Sequence, residues 1–203
     1  MSVPIDGSAG GALIHPKLKY RFRVLFLNMG ISDTKDLSKQ VMNVTRPNLE
    51  HDQIICDVYN SRIFLVGKHT WQPIDLQVRD DMENTVQKIV GEQLQRQVDH
   101  YQQSSAKAGE DYKFTTKIEV LDGGNGKDQP TILESWVLLG CYITNSNFND
   151  LNYAESEQAS INFSIQYDNA VQELGEGVGH HGTVRPDQGS LVTNSAGSVA
   201  AGG

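Results

Sequence analysis

The stretch Gly123-Gly124-Asn125-Gly126-Lys127 has the composition of a phosphate-cradling loop, in which backbone N–H groups and a lysine surround a nucleotide phosphate. The spacing G-x-x-x-x-G-K-[ST] is broken at both ends: Leu121 stands at the first glycine position and Asp128 follows the lysine. A hairpin loop accounts for it. Gly175, Gly177 and Gly179 echo a dinucleotide-binding turn, but no apolar helix follows to present its N-terminus to a pyrophosphate, so they read as linker. His180-His181 offers two imidazoles, yet adjacent residues rarely close a coordination shell, and no Cys, Asp or Glu completes a recognised metal spacing. Asp80, Asp81 and Glu83 have acid–base chemistry, but helix capping explains Asp80 and Glu83 without it. No Gly-x-Ser-x-Gly elbow occurs. The expectation is therefore no catalytic residue, no cofactor and no metal.

Three aromatic side chains, Trp71, Trp136 and Tyr142, have the flat faces that line sugar sites, although aromatics inside apolar strands are more often core. Cys56 and Cys141 each lie in an apolar run rather than a paired motif, which predicts buried, reduced thiols. Asn43-Val44-Thr45 and Asn162-Phe163-Ser164 satisfy the glycosylation sequon, which matters only in a secreted chain.

These residues must be positioned mainly by strands. Over 20–27, Tyr20, Phe22, Val24 and Phe26 alternate with a face that begins Arg21, Arg23. Further strands are expected at 53–59, 62–66, 70–78, 114–121, 132–143 and 159–167, with turns at Asn60-Ser61 and at 122–126. One segment has a different period. Met82, Val86, Ile89, Val90, Leu94, Val98 and Tyr101 fall on one helical stripe, and Asp80 with Glu83 suits the helix start. The fold class expected is mainly β, a sandwich or barrel-like domain with one flanking amphipathic helix.

The 203 residues suit one such domain, placed at 15–171. Residues 1–14 read as a flexible N-terminal arm, and 172–203 as a Gly-rich C-terminal arm too poor in bulky apolar side chains to order itself. Residues 1–11 hold no basic segment followed by an apolar stretch, and no apolar run nears the roughly 20 residues that span a bilayer, so cytoplasmic folding without a membrane partner is expected. A formal net charge of -8 argues against gripping nucleic acid by phosphate neutralisation.

Residues 62–81 run Arg62-Ile63-Phe64-Leu65-Val66-Gly67-Lys68-His69-Thr70-Trp71-Gln72-Pro73-Ile74, then an apolar strand and Arg79-Asp80-Asp81. This resembles the hairpin of tail tube proteins of contractile-tailed bacteriophages, which passes through G-K-x-T-W-x-P-I to a strand, an Arg-Asp pair and a helix. The block Ser135-Trp136-Val137-Leu138-Leu139-Gly140-Cys141-Tyr142-Ile143-Thr144, with Tyr167-Asp168 beyond it, is similar to the closing strands of the same family. The resemblance spans about 15–171 and departs at 102–111 and after Leu174.

It implies a non-enzymatic subunit, of a fold shared with type VI secretion tube proteins, that self-assembles into hexameric rings stacked as a channel for DNA. Implied partners are the tail sheath, baseplate and tail terminator proteins, with tape measure protein and phage DNA in the lumen but no specific DNA binding. The implied location is the virion tail, after assembly in the host cytoplasm. Tyr59, Asn60, Ser61, Arg62, Ile63 and Phe64 are expected to form a stacking or lumen hairpin, and acidic lumen side chains to repel phosphate. A type VI or extracellular contractile injection tube, or a virion carbohydrate-binding β-sandwich, are the alternatives.

Overall fold

The computed structural model describes residues 17–30, 34–106, 108–123, 130–154, 156–174 and 178. The N-terminal arm, nearly all of the C-terminal arm, Gly124 to Lys127 of the glycine-rich loop, the linker glycines and His180-His181 lie outside them. Period-two alternation of apolar residues produces the strands. These are β1 (Phe22–Leu27), β2 (Val41–Val44), β3 (Asn48–Val58), β4 (Ser61–Gln72), β5 (Ile74–Arg79), the minimal pair β6 (Val98–Asp99) and β7 (Ser104–Ser105), then β8 (Phe114–Leu121), β9 (Ile132–Asn147), β10 (Ser160–Gln166) and β11 (Asn169–Leu174). Two α-helices, α1 (Lys35–Gln40) and α2 (Thr85–Gln97), and a 3-10 turn at Gly109–Asp111 complete the described body.

Seven strands form one antiparallel sheet in the order β1-β8-β9-β10-β5-β2, with β11 also paired to β9. The long β9 folds it into two layers. Its first half, up to Cys141, lies between β8 and β11, and its second half pairs with β10. The bend falls at Gly140, which takes φ 69° and faces Asp168 so closely that a Cβ there would collide with the carboxylate. Lys113 Nζ holds that carboxylate at 2.5 Å, and this bond leads the effects that raise the Lys113 pKa.

Both layers point into one core. Val24, Phe26, Phe114, Ile118 and Leu138 come from one side, and Ile74, Leu76, Val78, Ile143, Ile161, Phe163 and Ile165 from the other. The mainly β, sandwich-like class expected from the sequence is the one observed, with α1 as a second, shorter helix. Helix α2 buries Val86, Ile89 and Val90, and its buried Gln93 accepts from Gly30 N at 3.0 Å and donates to Tyr112 O at 2.6 Å. Gln93 thereby satisfies backbone groups of two loops that would otherwise be buried unpaired.

Several boundaries differ from expectation. The helix begins at Thr85 because Asn84 adopts left-handed backbone, φ 57°, and its first turn is capped by Asp81, whose Oδ1 accepts from Thr85 N at 2.8 Å. Asp80 and Glu83 do not cap it, and Met82 and Tyr101 lie off its buried stripe, 102% and 93% exposed. The run 70–78 is two strands, since Pro73 has no N–H to continue a ladder. Strand β11 carries the body past Val171 to Leu174.

Candidate assembly surface

Strands β3 and β4 pair only with each other and project as a two-stranded hairpin of 11 and 12 residues. Their register places Ile54 opposite Leu65 and Cys56 opposite Ile63 on one face, and Ile55 opposite Phe64 and Gln53 opposite Val66 on the other. Side chains opposite one another share a face, so the hairpin is apolar on both. No described element covers either face. Ile54, Ile55, Ile63 and Leu65 are about half exposed, Phe64 is 62% exposed and Val66 is 76% exposed.

The base is firmly built. Trp71 is buried in the core with its ring 5.7 Å from that of Tyr167, whose hydroxyl pKa burial pushes up to about 12. Leu49, opposite Trp71, packs against the same core. A bulge between His51 and Gln53 lifts the hairpin beyond it, and Gly67 makes room: a Cβ there would sit 2.9 Å from Asp52 O. At the far end Val58 pairs with Ser61, so the two loop residues are Tyr59 and Asn60, not Asn60 and Ser61. Tyr59 takes φ 50° and is fully exposed, while Arg62 Nε donates to Asp57 Oδ1 at 2.9 Å beside it.

The six site residues named from the sequence, Tyr59 to Phe64, thus lie together at the tip. Ile54, Ile55, Leu65 and Val66, beyond those six, make the surface continuous. The signal was present in Ile-Ile-Cys-Asp-Val-Tyr-Asn-Ser-Arg-Ile-Phe-Leu-Val, where both parities are apolar, as in a strand buried on two faces. An isolated two-stranded hairpin is marginal in water. Covering the exposed parts of Ile54, Ile55, Ile63, Phe64, Leu65 and Val66 is worth about 1–3 kcal/mol apiece, enough to drive association once a partner surface is offered.

A second exposed group sits on the loop between β9 and β10, where Phe148 is 47%, Leu151 91% and Tyr153 111% exposed. The other chemical candidates have local explanations. Trp71 is core, Trp136 Nε1 donates to Glu134 at 2.6 Å, and Tyr142 meets Tyr112 edge-on. Cys141 is buried, its thiol pushed up to about 11 by that burial, whereas Cys56 is only half-buried. No cluster of three or more His, Cys, Asp or Glu side chains suited to a metal occurs among the described residues.

Structures with this arrangement are known. The anti-feeding prophage cap, an AFP tube terminating cap, superposes with a TM-score of 0.60 at 15% identity, over 86% of this chain and 100% of that one. The sheath/tube terminator of the extracellular contractile injection system PVC gives 0.57 at 15% identity over 80% and 99% of the two chains. This is the tail-tube fold. A chain of the PVC sheath-tube complex in its extended state gives 0.56 at 15% identity, over 79% of this chain and 93% of that one. No family model and no curated protein matches the sequence. Among the described residues, the β3–β4 hairpin carries an apolar surface that the rest of the body leaves uncovered.

Proposed function

We propose that this chain is a structural, non-enzymatic subunit of a contractile tail tube. Copies close side by side into rings, six to a ring as the family resemblance implies, and the rings stack into a channel that conducts DNA from a virion into its host. The observation that carries this reading is the β3–β4 hairpin, apolar and open on both faces. A heterologous contact repeated by rotation closes a ring, and one repeated along an axis makes a filament. Tyr59 to Phe64 serve as the stacking element rather than as lumen wall, because a water-filled channel would leave both apolar faces uncovered.

The sheath lies outside this tube, baseplate and terminator proteins close its ends, and tape measure protein and DNA pass within. The formal charge of -8 suits DNA passage without specific binding. The site of action is the virion tail, after assembly in the host cytoplasm. No helix among the described residues is long and apolar enough to cross a membrane, and no cofactor enters the mechanism.

A second reading has its own support. The structures superposed above belong to anti-feeding prophage and PVC assemblies, which favours an injection tube with protein cargo, and two of them are terminators, which favours a ring at a tube's end. Electron microscopy of the purified full chain at high concentration separates these roles. A tube-body subunit forms filaments of many rings, and a terminator forms single rings. Persistent monomers would contradict both. Nucleic acid or protein recovered with the filaments distinguishes the cargo.

A further inference from the structure

We propose that His51 and His69 form a divalent-metal site, an open two-imidazole clamp across the root of the β3–β4 hairpin that takes a transition ion such as Zn2+ or Ni2+. The two residues are distant in sequence, and the strand register sets them directly opposite one another on the ladder. Side chains opposed in this way share a face. Their ring centroids are 6.3 Å apart, both residues are exposed, and no described residue hydrogen-bonds or ion-pairs with either imidazole.

The chemistry fits a borderline metal. Neutral imidazole is a ligand for zinc, nickel and copper, whereas calcium and magnesium take oxygen. Metal–nitrogen bonds of about 2.0–2.1 Å put the ring centres of two imidazoles on one tetrahedral ion about 5–5.5 Å apart. The pair must therefore close by about 1 Å, a shift that two exposed side chains make by rotating within their wells. Two imidazoles on one ladder bind as a chelate, because once one holds the ion the other meets it at high effective concentration. Two ligands leave the remaining positions to water, so the site is open, unlike the closed four-ligand centres of structural zinc. The sequence expectation of no metal weighed the adjacent pair His180-His181; a pair made by strand register has no local spacing to show it.

The position gives the ion a mechanical role. Immediately beyond the histidines the ladder is irregular: between the aligned pairs His51–His69 and Gln53–Val66, Asp52 stands against both Gly67 and Lys68. A bulge leaves a residue unpaired and bends the strand, so the apolar part of the hairpin joins the body through a weak point. On the body side Trp71 is buried in the core, and Leu49, opposite it, packs against that core. An ion shared by His51 and His69 ties the two strands between that anchor and the bulge. Stiffening a docking element before it binds lowers the entropy lost on docking. That last consequence rests on the tube reading, whereas the site itself does not.

Titration of the dispersed full chain with nickel chloride tests the site, in a parent carrying His180→Ala and His181→Ala so that the adjacent pair contributes nothing. Calorimetry reads stoichiometry and affinity. Fluorescence reads location, because the Trp71 ring lies 6.4 Å from that of His69 and a paramagnetic ion on the pair quenches it. The expected result is one Ni2+ per chain with partial quenching that excess Zn2+ relieves, and a loss of affinity of about tenfold or more in His51→Ala and in His69→Ala alike. No uptake by the parent, or uptake unchanged in either alanine variant, overturns the assignment. With Zn2+ bound, amide exchange over 49–52 and 69–72 should slow in the parent and not in the variants; equal exchange with and without the ion, at confirmed saturation, overturns the clamp. Persistent monomers that still bind Ni2+ through both histidines, seen separately by microscopy, contradict the tube reading and support the metal site.

Discussion

Replacing Phe64 by serine should disrupt assembly while sparing the subunit. A phenylalanine side chain buries about 200 Å2 when fully covered, and 62% of Phe64 is uncovered in the isolated chain. About 120 Å2 is therefore available to a partner, worth about 3 kcal/mol per contact at the usual apolar coefficient. That raises the concentration at which rings or filaments appear by about two orders of magnitude. Within the subunit, Phe64 stands opposite Ile55 across the ladder, a pairing worth about 0.2–1 kcal/mol, so melting should fall by no more than about 4 °C. Sedimentation velocity over a dilution series reads the first quantity and calorimetry of the dispersed protein the second. Assembly at the parent concentration would refute the reasoning. A drop in melting temperature beyond about 10 °C would show that Phe64 serves the subunit's own core.

Gly140→Ala should lower stability by about 2–4 kcal/mol, since left-handed backbone disfavours a Cβ and Asp168 occupies its place; unchanged thermal melting would contradict the role given to the bend. Gln93→Leu should cost about 2–4 kcal/mol by stranding Gly30 N and Tyr112 O, measured by urea unfolding with little change in the slope. Burial pushes the Glu134 carboxyl up, but Lys17, Trp136 and Arg46 outweigh it and hold it below its usual 4.5. A depressed carboxyl stabilises the fold above its unfolded pKa and loses that contribution as pH falls through the folded value. Glu134→Gln should thus be less stable than the parent at neutral pH, with the difference shrinking in acid; a gap independent of pH would contradict the ion pairing.

Strands β8 and β10 were readable in the sequence because each alternates over its length, as Phe114, Thr116, Ile118 and Val120 do in the buried positions of β8, and β9 from its apolar run over 136–143. The helix was readable from Val86, Ile89 and Val90, but its start was not: the left-handed Asn84 interrupts a periodic run that Met82 happens to extend. Helix α1 is six residues, too short to display a period, and β2 is obscured by the irregular pairing at Met42. β11 has only Ala170, Val171 and Leu174 as apolar residues and is held by pairing with β9, a long-range contact invisible to local pattern. The tip residues Tyr59 to Phe64 could be located from the turn, with an error of one residue. That both hairpin faces stay uncovered depends on where the body ends, which no local pattern records.

Amide hydrogen exchange in β3 and β4 as a function of protein concentration tests the central claim most directly, because the hairpin's outer edges and both faces are open in the single chain. The account predicts fast exchange over 53–66 in dilute, dispersed protein and strong protection once rings or filaments form, while β8 to β10 stay protected throughout. Equal exchange of the hairpin in both states, with assembly confirmed in the same sample, would mean that copies of this chain join through some other surface.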